Sequence, residues 1–446
     1  MSTPNAVLDS SSDRDHKDPS LGIEQNVAPS EEQVKPVSRF TRWYRSPLFN
    51  VIIVGLISFT QPGIWNALNN TGAGGQQEPY LVNGANSLTF GIMVFGCSLF
   101  GILANKIGLK WVLIIGTLGY APYSAALYTN NRYGVEWFVL FGGATCGIAA
   151  SALWASEGAI ALGYADVKDR GKFTGIWLGL RELGQLIGSS IQLSLNVNSG
   201  KRGRVGYTTY LKKVIRSNGT RLPHTKTNKS VKDQFKKWVS LLKRKQFYLL
   251  IPILVGFNWN STYLGIYLVN YFSVRSRALA SLTSGIAATA ANIFWGWFFD
   301  LKVVGQPQLA RITWAFLAVF HDGLVWMAVC YGVGISRRQP SRDSGLGSPK
   351  LRFMNESHYM FVYWILGTFF DDVETLTLAV GLVRSFESLG SCLAFGVGAA
   401  KVAPLTNLIV AFVMFCISLP STSFAVFLVP ERPSENALGK DDDSSE

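Results

Sequence analysis

Residues Pro79–Lys110 read PYLVNGANSLTFGIMVFGCSLFGILANKIGLK. Pro79–Asn105 carries no charge at all, and Lys106 and Lys110 then follow within five positions. A helix needs roughly 20 mainly apolar residues to cross a hydrocarbon core. Lys and Arg collect at the cytoplasmic ends of such helices. The stretch therefore reads as one membrane crossing that ends in a cytoplasmic turn. Other charge-free runs are Pro47–Gln77, Trp111–Asn131, Trp137–Ser156, Gln246–Val274, Ala278–Phe299 and Val402–Pro430. A single run of this kind suits a buried core helix, but seven do not. The fold class is all-α, a polytopic transmembrane helical bundle, and the protein is expected in a membrane as a multi-pass chain.

The bulk numbers agree. Charged residues are 15% of the chain and hydrophobic residues 48%, where a soluble domain carries about 25% charged residues. Residues 1–46 read as a disordered cytoplasmic tail and 431–446 as an acidic disordered tail. No cleaved signal peptide is evident ahead of the first apolar run. The net charge of +13 sits in clusters flanking spans, namely Lys35–Arg45, Lys106–Lys110, Lys168–Lys172 and Lys201–Lys245. That pattern points to a lipid bilayer and away from nucleic acid. Cys97, Cys146, Cys330, Cys392 and Cys416 all fall in apolar runs without metal-ligand spacing. Three of the four histidines are placed in tails or loops, so no metal or other cofactor is expected. The glycine run Gly72–Gly75 lacks the Gly-Lys-Ser/Thr of a phosphate loop. With no nucleophile–base set either, an enzyme is not expected.

Spans that tolerate an internal charge bring the count to eleven. They lie near 48–68, 80–104, 111–130, 137–161, 173–195, 247–270, 278–299, 311–332, 359–378, 381–400 and 404–429. The chain also repeats itself. Gly101-Ile-Leu-Ala-Asn-Lys106 follows the second span, and Gly296-Trp-Phe-Phe-Asp-Leu-Lys302 follows the second span after a basic central loop. Each places a glycine four residues before Asn or Asp, then a lysine. Such duplication marks secondary transporters that bind a solute between two halves. The organisation read from it is an N-terminal half at 47–211, a basic cytoplasmic loop at 212–246 and a C-terminal half at 247–430.

GILANKIGLK resembles the loop signature of the major facilitator superfamily, Gly-x-Leu-Ala-Asp-Arg-x-Gly-Arg-Lys. Gly101, Leu103, Ala104, Gly108 and Lys110 match; Asn105 stands where the family has Asp, and Lys106 where it has Arg. Within that superfamily, TQPGIWNALNNTGAGGQ (60–76), EGAIALGYADVKDRGKFTGIWLGLRELGQLIGSSI (157–191) and DDVETLTLAVGLVRSFESLGS (371–391) resemble the fungal branch of the Unc-93-like family. The resemblance covers roughly residues 44–430. It implies a major facilitator-type bundle of twelve spans in two pseudo-repeat halves. It also implies a cytoplasmic gating loop at Gly101, Asn105, Lys106, Gly108 and Lys110, with Gly296 and Asp300 in the second half. The acid that latches this loop is lost at Asn105 and kept at Asp300.

Against twelve, about 11 spans are found, with the sixth missing and the tenth short. Asn196–Lys213 is too charged to cross. Five crossings would leave residues 196–246 outside, yet that segment holds fifteen Lys/Arg against one acid, Asp233. The junction at Tyr210-Leu211-Lys212 reads as a place where an apolar segment has been omitted; an eleven-span protein of altered topology and a miscounted span are the alternatives. The tenth span has a charge-free core of only Tyr359–Phe370, about 18 Å of helix. Glycosylation candidates are Asn69 and Asn355, and the sequons at Asn218 and Asn228 report on the central loop.

Charge within a span is expensive and needs a partner or a purpose. Arg181, Gln185, Ser189 and Gln192 form one polar face of the fifth span. Glu182 lies about 100° around the helix from Arg181, so Glu157 on the fourth span, at similar depth, is the expected partner of Arg181. Asn66 and Asn258 occupy corresponding places on the first spans of the two halves. Glu157, Arg181, Glu182, Gln185, Asn66 and Asn258 are the substrate-cavity candidates. His321-Asp322 lies mid-span, Arg384 and Glu387 are read as neutralising each other, and Gly175/Gly179 and Gly184/Gly188 as close-packing surfaces. The function expected is secondary transport of a small solute by alternating access. The alternatives are a non-transporting regulator or trafficking partner of another membrane protein, and an incomplete inactive product.

Overall fold

The computed structural model describes residues 46–70, 79–165, 169–196, 230–301, 304–319, 348–370, 372–400 and 404–431. All lie in the compact unit Arg45–Glu446. Every regular element among them is helical. Ser46 caps the first helix by accepting from the Phe49 N–H, and Pro47 takes the first position, where no N–H is needed. This helix, α1 (Pro47–Ser58), passes through a π-helical turn at Phe59–Gly63 into α2 (Ile64–Asn70). Pro62 lies in that turn, where its missing N–H relaxes the α ladder. The half continues with α3 (Pro79–Ile107), α4 (Leu109–Leu118), α5 (Tyr120–Tyr133), α6 (Trp137–Gly163) and α7 (Arg170–Asn196). Gly108, with φ 96°, makes the turn between α3 and α4, a conformation that suits glycine.

Next come two short helices, α8 (Val231–Leu242) and α9 (Lys245–Tyr248). The second half comprises α10 (Ile251–Tyr271), α11 (Val274–Phe298), α12 (Gln306–Phe316), α13 (Ser348–Phe369), α14 (Val373–Ala399) and α15 (Pro404–Phe427). Among the described residues, seven segments are long and apolar enough to cross a membrane. The outer faces carry bare apolar side chains such as Phe95, Leu99, Ile293 and Phe424, each more than 60% exposed. Water would penalise such a surface, and hydrocarbon does not.

The second span of each half packs on the fifth span of the other, α3 on α14 and α11 on α7. Glycines set both contacts. A methyl on Gly381 would stand 2.8 Å from the Cys97 carbonyl oxygen, and one on Gly175 would stand 2.8 Å from that of Asn292. Gly101 and Gly296, the repeated glycines of the sequence, face Gly381 and Gly175 across these seams. The repeat is thus read out as two equivalent places where the halves touch backbone to backbone.

One expectation is corrected. The tenth span is not short: α13 has 22 residues, about 33 Å at 1.5 Å per residue. It begins at Ser348 because Arg352 and Glu356 are accommodated inside the bundle by partners (below). The spans expected at 359–378 and 381–400 are accordingly 348–369 and 373–399, and His358, read as a loop residue, is buried in α13.

The described part of the basic central loop packs at the Lys106 end of α3, where Asn105 donates to Gln234 of α8 at 3.2 Å. The junction at Leu211, Asn218 and Asn228, and the His321-Asp322 pair, lie outside the described residues.

The expected role of Gly179 is not met, because a methyl there would touch nothing within 4 Å. Gly175→Val is expected to cost about 1–3 kcal/mol by overpacking and Gly179→Val much less. Melting temperatures of the two purified variants, read by fluorescence-detected gel filtration, check the contrast.

Candidate functional site

Between the halves lies a cavity of about 150 Å³. Asn66 and Asn258 both line it, as do Trp65, Arg181, Arg384 and Glu387. The π turn helps to shape this wall. It brings Gly63 against Gly184 of α7, where a methyl on Gly184 would stand 2.1 Å from the Phe59 carbonyl oxygen. The first and fifth spans can therefore meet only without side chains there. Asn258 is fixed by the Tyr359 hydroxyl, which donates to its Oδ1 at 2.6 Å, and by its own donation to the Leu254 carbonyl at 3.0 Å.

Beside the cavity, α7 and α13 share four charges. Arg181 Nε donates to Glu182 Oε1 at 2.8 Å, and Arg181 Nη2 lies 2.6 Å from Glu356 Oε2. Arg352 Nη2 stands 3.1 Å from both Glu182 and Glu356. Asn292 of α11 reaches Glu356 at 3.4 Å. The tetrad is buried, with Arg352 the most exposed at 19% of its side chain. Its cations are matched by its anions, which is what allows ionised groups at this depth. The aromatic ring of Trp154 lies 3.7 Å from the Arg384 guanidinium carbon and 5.5 Å from that of Arg181.

Other sequence candidates fall elsewhere. Glu157 does not pair with Arg181. Its Oε2 accepts from Ser58 at 2.5 Å and from Trp177 at 3.2 Å, which ties α6 to α1 and α7. Arg181 pairs instead with its neighbour Glu182, because both side chains turn toward Arg352 and Glu356 on α13. Gln185 and Ser189 face α11, reaching the Ser281 carbonyl at 3.4 Å and the Ser281 hydroxyl at 2.7 Å. The polar stripe of the fifth span thus serves the seam between the halves. Asn69 accepts from Asn86 at 2.8 Å and lines the cavity. Asn355 is 8% exposed within α13, which leaves no room for a glycan. Arg352 and Glu356 were missed, although their i,i+4 spacing is a signal for a helical ion pair.

The ends of the helices that carry Lys106 and Asp300 hold the halves together. Asp300 accepts from the Gly171 N–H at 3.0 Å and the Lys172 N–H at 2.8 Å, so a carboxylate sits on the N-terminus of α7. Burial pushes this carboxyl above its ordinary value, while the two N–H donors and Lys172 pull it down. Arg170 donates to the Gly367 and Phe370 carbonyls at the end of α13. On the other seam, Asn105 donates to the Glu374 carbonyl at 3.1 Å, and Gln234 and Lys237 of α8 reach the Glu374 carboxylate at 2.9 and 3.2 Å. Lys106 is exposed, and Lys110 lies over the Trp111 ring at 5.4 Å.

Removing one member of the tetrad strands a buried charge. Glu356→Gln is expected to destabilise by about 3–5 kcal/mol. Arg181→Gln with Glu356→Gln should recover part of that loss, because Arg352 and Glu182 still pair. Thermal melts of the single and double variants in detergent check the coupling.

Comparison with known proteins follows the same lines. The sequence profile described as Major Facilitator Superfamily matches residues 48–336. The chain is 28% identical over 417 residues to the notoamide biosynthesis cluster protein O' of Aspergillus versicolor, covering 87% of this chain and 90% of that protein. It is 26% identical to an UNC93-like protein of Schizosaccharomyces pombe, covering 84% and 81%. It is 25% identical to UNC93-like protein 1 of Arabidopsis thaliana, covering 93% and 96%. Among solved structures, FucP in the outward conformation matches with a TM-score of 0.58 at 14% identity, over 86% of this chain and 99% of that one. That match supports a fold of two helical halves. The chain is an integral, multi-pass membrane protein with a transporter-like fold, similar to the UNC93-like proteins, and it belongs to the Major Facilitator Superfamily.

Proposed function

We propose that the protein carries a small solute across its membrane by alternating access, with the cavity as the solute site. The observation that supports this reading most is the asymmetry along the bundle. A polar cavity lies between the halves toward their outer ends, while the cytoplasmic ends are joined on both seams by Asp300, Arg170, Asn105 and Gln234. This is the arrangement of a carrier closed to the cytoplasm. Opening the other way requires only that these end contacts break while the glycine seams roll, since rocking of one half against the other is how such folds work. Of the sequence candidates, Asn66, Arg181 and Asn258 line the cavity, and in this reading they touch the solute. Glu182 acts through the tetrad, Gln185 through the α7–α11 seam and Glu157 through α1 and α7.

Two measurements test the proposal. In proteoliposomes offered a mixture of small polar solutes, mass spectrometry should find at least one that enters tenfold faster than into protein-free vesicles. Spin labels at Arg132 and Arg275, on the outer ends of the two halves, should report two distances. Asp300→Asn should shift the population several-fold toward the shorter one, because a helix cap of this kind contributes about 0.5–2 kcal/mol. A single unchanging distance, with no solute moved, would overturn the carrier reading. A stoichiometric membrane protein that co-purifies in its place would support a regulator.

A further inference from the structure

One charged pair on the cavity wall has hydrogen-bonding capacity that the protein leaves unused. Arg384 and Glu387 of α14 are 2.7 Å apart, both are at least nine-tenths buried, and both line the cavity. Trp154 covers one face of the guanidinium. Its edge is free, because Nε and Nη2 of Arg384 have no hydrogen-bond partner, and Glu387, whose Oε2 faces Arg384 Nη1, has an Oε1 that accepts no hydrogen bond. Buried donors and acceptors in this condition call for a partner.

The other two arginines of the wall are already engaged. Arg181 and Arg352 are matched by Glu182 and Glu356, and Arg384 is matched by Glu387. The fixed charge facing a solute therefore balances. A carboxylate brought to Arg384 would have to displace Glu387 and leave it buried without its cation, and an ammonium brought to Glu387 would do the reverse to Arg384. A group with an acceptor and a donor on neighbouring atoms satisfies both side chains and strands neither. Around this polar edge the wall is aromatic: Phe90 and Phe395 stack at 5.7 Å, and the Trp65 ring stands edge-on to Phe90 at 6.0 Å. Such a surface suits a flat apolar ring.

We infer that the cavity selects an uncharged solute that carries an amide-type group on an apolar ring, with Arg384 donating to its acceptor and Glu387 accepting from its donor. This deepens the carrier reading and rests on it for its purpose, but binding is measured without flux. Benzamide, benzoate and benzylamine share one ring and differ in charge. Titrated into the purified protein in nanodiscs and followed by tryptophan fluorescence, benzamide is expected to bind at least tenfold more tightly than either charged probe. Glu387→Gln should reverse the order in favour of benzoate, because Arg384 loses its counter-charge; Arg384→Gln should favour benzylamine.

Wild-type protein that binds a charged probe as well as benzamide, or none of the three at 10 mM (roughly the −3 kcal/mol floor of specific binding), overturns the inference even if neither variant folds. An order unchanged in folded variants overturns it too. A benzamide preference without solute flux counts against the carrier reading alone. Flux without that preference counts against this inference alone.

Discussion

Everything at the centre of this bundle depends on one constraint: ionised groups at membrane depth must be matched by opposite charge and by hydrogen bonds. The tetrad of Arg181, Glu182, Arg352 and Glu356 meets it with two side chains from each half, so that α7 and α13 are bound to one another across the interface. That single arrangement explains why α7 and α13 can be membrane-length helices although neither is apolar enough to qualify by composition. It also orients the Arg181 side chain beside Trp154 and thereby fixes one side of the cavity.

Much of the architecture was legible in the residues. Charge-free runs placed the apolar helices, because exclusion of charge is the physical requirement for facing lipid. The repeated glycines Gly101 and Gly296 marked the two seams, because only a missing side chain lets backbones approach as they do there. Asn66 and Asn258, singled out from their loosely matching places in the two halves, both line the cavity.

What the residues concealed were relations between distant positions. Counted from its charge-free core at Tyr359–Phe370, the tenth span left Arg352 and Glu356 outside it. Their partners across the interface, Glu182 for Arg352 and Arg181 for Glu356, lie 170 and 175 residues away in sequence, and no local pattern announces them. Arg181 and Glu182 were separated by the angle between adjacent helical positions. That rule compares Cβ directions and overlooks how far a guanidinium can reach toward a shared partner. Arg384 and Glu387 were set aside as self-neutralising. They are paired, yet Arg384 Nε and Nη2 and Glu387 Oε1 keep no hydrogen-bond partner in a pair that lines the cavity.

The two seams of the bundle solve the same problem differently. In the α7–α11 seam the acid of the repeated motif survives as Asp300 and meets the exposed N–H groups of a helix start directly. In the α3–α14 seam Asn105 has no charge to offer, and its amide donates to a carbonyl and to Gln234 instead. The charge has moved to α8, where Lys237 faces Glu374 and Asp372 of the opposite half. A helix from the basic central segment therefore completes a contact that the loop alone makes at the other seam. The contact at this seam is thus tied to the position of α8, whose Lys237 and Gln234 have no counterpart in the Asp300 contact at the other seam.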